Sequence, residues 1–149
     1  PPSVEHMFVN DCDTPVELFI ATECVADAKV KNRSPRIRNY RESQMFPSHW
    51  SYLVHRIFGQ EDGLVRMRDV LVVLIDPLQT GDSHGHGSHM DEVWTMWKGE
   101  AVHVVSKEVC VQTPGTVVSV CPSDPGHTLI NHTQEPCYLF YFCSLDYNT

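Results

Sequence analysis

The stretch Gly81-Asp82-Ser83-His84-Gly85-His86-Gly87-Ser88-His89-Met90-Asp91-Glu92-Val93-Trp94-Thr95-Met96-Trp97-Lys98-Gly99 places three histidines within six positions and then turns apolar. His84 and His86 stand two apart, so in an extended segment their side chains leave the same face, near enough to grip one ion. Gly85 and Gly87 let the backbone bend around such a centre. Glu92 follows after a short loop and opens the apolar run. Two imidazoles and a carboxylate suit Fe(II), Mn(II), Ni(II) or Zn(II) and leave coordination positions open for a substrate. A further donor is offered by Pro122-Ser123-Asp124-Pro125-Gly126-His127-Thr128-Leu129-Ile130-Asn131, where His127 sits just past a turn, at the start of a strand.

Around these two segments the chain reads as many short strands. Candidate strands cover 15–22, 51–58, 64–75, 92–97, 101–106, 109–112, 116–121 and 137–145, all rich in residues that fit a pleated surface. Turn-forming text separates them, as at Gly59–Gly63, Asp76-Pro77, Lys98-Gly99, Thr113-Pro114-Gly115 and Pro122–Gly126. About eight strands in one domain imply an all-β closed barrel or double-sheet jelly roll, since both architectures manage exposed strand edges. The span 26–47 is the least strand-like and reads as a basic N-terminal arm or loop: Lys29, Lys31, Arg33, Arg36, Arg38 and Arg41 are six of the eleven basic residues. It can be a solvated arm, a subunit contact or a lid that attracts an anion.

With 149 residues and 42% hydrophobic content, residues 1–149 are expected to form a single domain. A chain of this size buries roughly 70% of its unfolded surface. The net charge of −8 argues against a nucleic-acid partner. No apolar run approaches the ~18 residues of a membrane span, and none is expected. Pro1-Pro2-Ser3 lacks the basic and apolar parts of a signal peptide, although a trimmed terminus stays open. Six cysteines include no CxxC pair, and several lie in apolar text, so they are expected to be free thiols. The expected location is cytoplasmic, with secretion open. The sequons at Asn32 and Asn131 arise too easily by chance to decide it.

Taken together, the two histidine segments resemble the paired motifs of the cupin superfamily. Its first motif runs Gly-x5-His-x-His-x3or4-Glu-x6-Gly, and its second Gly-x5-Pro-x-Gly-x2-His-x3-Asn. Here His84-x-His86 is present and Glu92 is followed by six residues and Gly99, while Pro122, His127 and Asn131 keep their mutual spacing and Gly115 leads in. The chain departs from the pattern in having five residues between His86 and Glu92, Leu78 in place of the leading glycine, six residues between Gly115 and Pro122, and Asp124 at the inner glycine position. The match covers residues 81–131 and implies a cupin-type double-stranded β-helix.

The resemblance further implies one divalent transition metal per chain, Fe(II) first and Mn(II), Ni(II) or Zn(II) next, held by His84, His86, Glu92 and His127. His89 is an alternative ligand, and Asp91 stands at the more usual offset from His86. It implies a mononuclear metal-dependent enzyme, most readily a dioxygenase, on a small polar, anionic substrate. Isomerase, epimerase, lyase or decarboxylase chemistry and a non-catalytic ligand-binding barrel are the alternatives. A homodimer is common in such proteins. Arg66 and Arg68 can orient an anion if they share the inner face of a barrel strand, and otherwise form surface ion pairs. His103 alternates with Val102 and Val104 and faces either the interior or the surface. Tyr141 presents its hydroxyl to a substrate if it points inward. Trp94, Met96, Trp97, Phe140 and Phe142 are expected to fill the barrel, and His6, His49, His55 and His132 to be structural or exposed.

Overall fold

The computed structural model describes residues 5–23, 34–124 and 126–145. Among them run nine strands: β1 (Met45–Ser48), β2 (Tyr52–Gly59), β3 (Met67–Ile75), β4 (Met90–Lys98), β5 (Ala101–Val105), β6 (Glu108–Gln112), β7 (Val117–Val120), β8 (His127–Ile130) and β9 (Cys137–Leu145). They form a six-stranded sheet in the order β1-β2-β3-β9-β4-β7 and a three-stranded sheet in the order β6-β5-β8. Every pairing is antiparallel. This is the all-β jelly-roll barrel that the turn-punctuated sequence implies.

Period-two alternation decides which side chains enter the barrel. Glu92, Trp94 and Met96 of β4 point inward, as do Ala101 and His103 of β5, Val120 of β7, His127 and Leu129 of β8, and Cys137, Leu139, Tyr141 and Cys143 of β9. Trp97, Phe140 and Phe142 do not fill the barrel as expected. Trp97 is 42% exposed and stacks on Phe140 outside the sheet, with ring centroids 5.1 Å apart. The inward residues are one register step away, so Trp94 and Tyr141 enter the barrel while Trp97 and Phe140 meet on the other face.

Segment 15–22 is not a strand. It lies without ladder partners against the outer face, where Phe19 stacks on Phe140 at 5.5 Å, and Glu23 accepts hydrogen bonds from the backbone amides of Val65, Arg66 and Met67 at 2.8–2.9 Å. Aromatic contact and a carboxylate clasp do the work the ladder was expected to do. Residues 45–47, the end of the span read as an arm, belong to β1 (Met45–Ser48) at the sheet edge, the position in which Pro47 is tolerated. In the rest of the basic run, Arg36 and Arg38 both pair with Asp62, and Arg41 lies 5.2 Å over the Tyr40 ring. Lys29, Lys31 and Arg33 lie outside the described residues, as does Cys24; Cys12, Cys110, Cys121, Cys137 and Cys143 are free thiols. Among the described residues no helix is long and apolar enough to cross a membrane.

Two close approaches fix the region between the sheets. The connection from β3 to β4 adds isolated bridges to β8 at Thr80–Ile130 and His84–His127. It can come so near because Gly81 has no side chain: a Cβ there would stand 2.3 Å from the Tyr52 ring, whose hydroxyl donates to Leu129 O and accepts from Leu129 N. Gly99 turns β4 into β5 with φ +84°, and a Cβ would meet Cys137 Cα at 2.8 Å. Asn131 is structural: its amide donates to Ile75 O and Glu135 O, and its carbonyl accepts from Thr133.

Candidate metal centre

His84 and His127 form a hydrogen-bonded antiparallel pair, with His84 N donating to His127 O at 3.2 Å and His127 N to His84 O at 2.8 Å. Residues directly opposite in such a pair project to the same face. Their rings lie 4.4 Å apart, and His86, two residues on, adds its ring 4.9 Å from that of His84. Glu92 arrives from the neighbouring sheet. Ligand atoms of His84, His86, Glu92 and His127 all lie within 4.8 Å of one another. His86 Nε2 stands 3.0 Å from Glu92 Oε1, and His127 Nε2 stands 3.1 Å from both Glu92 Oε2 and His86 Nε2.

The cluster fits a cation. Nε2 of His84 is buried with no hydrogen-bond partner, a costly state for a polar atom unless something else occupies its lone pair. Three imidazoles and one carboxylate are also the donor types that divalent transition metals take. Asp91, the residue at the more usual offset, is exposed and receives the Ser144 hydroxyl, so the strand period separates it from the cluster. His89 is exposed beside Ser88 and is not brought into the cluster.

The carboxylate is held from behind. Tyr141 donates its hydroxyl to Glu92 Oε1 at 2.6 Å, and Trp94 donates its indole N–H to Oε2 at 3.0 Å. Burial of Glu92 opposes ionisation, but the contact with His127 and the hydrogen bonds donated by Tyr141 and Trp94 outweigh it and bring its pKa down to about 2. Burial, reinforced by the Glu92 charge, drives the Tyr141 phenol well above its ordinary range, so it stays a proton donor. Burial also lowers His84 and His86, favouring the neutral imidazoles that bind metals.

His103 faces the interior. It is fully buried, with Nε2 3.2 Å from His127 Nδ1 and Nδ1 3.1 Å from Gln112 Oε1. Burial, and then the nearby His127, lower its pKa to about 4.

A cavity of about 700 Å³ opens over Glu92 and His86, walled by residues including Phe46, His49, Leu71, Met90 and Tyr141, with Arg56, Arg68 and Gln60 among its lining. Arg68 is therefore at the cavity, paired with Asp69 at 3.3 Å, whereas Arg66 lies in the bend before β3, exposed and away from these lining residues. The expected shared strand face fails because β3 begins at Met67. Sequence reasoning missed Arg56, which is held to Asp69 at 2.7 Å and Glu61 at 3.1 Å. It also missed His49. That ring stacks on His84 at 3.9 Å and meets Asp82 Oδ1 at 2.9 Å. His49 and Trp50 both have positive φ, 47° and 67°, a strained tip for the β1–β2 hairpin that holds the imidazole at the site.

No protein-family model matches the sequence, and no curated protein matches it. Solved structures do match. A predicted oxalate decarboxylase from Thermotoga maritima aligns with TM-score 0.68 at 13% identity over 74% of this chain and 100% of that one. A Cupin 2 conserved barrel domain protein from Salinispora arenicola aligns at 0.65 and 19%, over 77% and 92%. A sugar phosphate isomerase of the cupin superfamily from Silicibacter pomeroyi aligns at 0.62 and 19%, over 75% and 76%. The fold is that of the cupins.

Proposed function

From the cupin fold as premise, we propose that the chain is a mononuclear metal-dependent enzyme acting on a small, polar, anionic molecule. The observation that carries this reading is the convergence of His84, His86, Glu92 and His127 around the partnerless Nε2 of His84, at a cavity large enough for a metabolite. When bound, a divalent metal would supply Lewis acidity and, as Fe(II), access to O2 chemistry.

The chain's own groups account for binding and orientation. Arg56 and Arg68 offer guanidinium forks to an acid group at the rim, Phe46 and Leu71 shield the cavity wall, and Tyr141 with Trp94 keeps Glu92 ionised and fixed. Oxygenation is the first reaction class in this reading. Metal-assisted isomerisation or decarboxylation is the second, in keeping with the sugar phosphate isomerase and the predicted oxalate decarboxylase among the matching structures. The reading includes a homodimer in solution, to be checked by light scattering.

Metal analysis of protein purified without chelator should find one transition metal per chain, abolished in His86→Ala. Fe(II)-loaded protein should consume O2 with an organic acid from a broad panel. Activity that persists anaerobically and with Mn(II) selects the second reading. A ligand that raises the melting temperature yet emerges unchanged, with no turnover across the panel, sinks the enzyme reading.

A further inference from the structure

We propose that His103 and Gln112 are positioning residues that fix which ring nitrogen of His127 carries the proton, leaving Nε2 as a lone-pair donor to the metal. The inference rests on the metal-binding reading above and follows from matching donors to acceptors along one buried line.

The line starts at main-chain groups with no freedom. Gln112 Nε2 lies 3.2 Å from Trp94 O and 3.5 Å from Thr116 O. Carbonyl oxygens only accept, so the amide NH2 must face them and Oε1 must face the other way. Oε1 then meets His103 Nδ1 at 3.1 Å, and because this oxygen only accepts, the proton of His103 sits on Nδ1. A neutral imidazole with its proton there has a bare Nε2. That atom lies 3.2 Å from His127 Nδ1, which therefore donates. His127 is left with an unprotonated Nε2, the atom 3.1 Å from Glu92 Oε2 within the four-residue cluster.

Both links are fully buried, so no water substitutes for a wrong partner. Metal-bound histidines commonly donate their second N–H to a carboxylate or a carbonyl. Here a second imidazole takes that place, and its own orientation is inherited from the backbone of β4 through Gln112. A flipped Gln112 amide would set oxygen against Trp94 O and reverse every donor down the line.

The test is long-range 15N–1H correlation of the histidine rings in the intact chain, metal-free and loaded with zinc(II). His103 should carry its proton on Nδ1 in both states, and His127 should carry Nδ1–H with zinc bound. His103→Leu should weaken zinc binding about 10- to 100-fold by competition with a chelating dye. His103→Gln, whose amide oxygen can accept from His127 while its NH2 donates to Gln112, should recover most of that loss. A zinc-binding protein whose His103 is protonated on Nε2 overturns this inference alone, as does a folded His103→Leu chain with unchanged affinity. A wild-type chain that binds no zinc overturns the metal reading together with it. The ring spectra need no variant, so a His103→Leu chain that fails to fold still leaves them decisive.

Discussion

Replacing Tyr141 by Phe deletes one oxygen and leaves the ring packed against Trp94, 4.5 Å between centroids. The deleted hydroxyl makes a 2.6 Å hydrogen bond to an ionised, buried carboxylate. Such charge-assisted bonds contribute about 1.5–3 kcal/mol, against about 1 kcal/mol for a neutral one. Metal-free Tyr141→Phe should therefore lose about 2 kcal/mol of unfolding free energy at pH 7, measured by urea denaturation with chelator present. The charge is what makes the bond strong, so the same substitution in a Glu92→Gln background should cost about 1 kcal/mol or less. The double-mutant cycle then returns a coupling of about 1 kcal/mol or more. Equal costs in the two backgrounds would show that the Tyr141 hydroxyl contributes independently of the Glu92 charge and that Glu92 is not held as an anion by its donors.

Metal-free protein should also lose stability as pH falls from about 6.5 to about 4: His103 sits near 4 when folded, below its unfolded value of about 6.5, so the unfolded chain takes up the proton first. The loss reaches about 3 kcal/mol for this ring and shows as a falling urea midpoint. Glu92 acts in the same direction at lower pH, its folded value near 2 lying below its unfolded one. Gly99→Ala should cost at least about 2 kcal/mol, since φ +84° is compounded by the approach to Cys137, while Gly115→Ala, at φ +89° in open space, should cost about 1 kcal/mol. Once a substrate is found, Arg68→Gln should raise KM about tenfold with kcat nearly kept, as expected for a group that binds without reacting. Zinc(II) at a hundred times its Kd should add about 2.7 kcal/mol to unfolding stability, and His84→Ala should erase that gain.

Much of this site is legible because its spacing follows strand periodicity. His84 and His86 share a face for the same reason that Glu92 and Asp91 do not, and the period survives the extra residue before Glu92. Partners brought in by topology left less trace. Val16, Leu18 and Ile20 alternate as a strand would, yet a strand also needs an unpaired edge beside it, and no local pattern reports that. His49 reaches the site through two consecutive left-handed residues, His49 and Trp50, where the usual turn signal would be Asn-Gly. Arg56 and Arg68 meet at Asp69 because β2 and β3 pair Gly59 with Asp69 across a bulge, an alignment set by the hairpin and not by either strand's composition.

The four donors also differ in which sheet they belong to, and that division explains why the centre lies where it does. Glu92 is carried by β4 of the larger sheet, His127 by β8 of the smaller, and His84 and His86 by the connection that bridges onto β8. A carboxylate and three imidazoles presented from opposite walls bring their ligand atoms to about 3 Å of one another. That arrangement is costly for the fold alone, because polar and ionisable groups are taken from water and crowded together. The barrel tolerates it by satisfying the far side of every ring or carboxylate it can reach: Trp94 and Tyr141 behind Glu92, His103 behind His127, and Asp82 O 3.2 Å from His84 Nδ1. Donors satisfied on their outer side and bare on their inner side are a fold prepared for a cation, and the strain concentrates at His84 Nε2, the atom left with no partner.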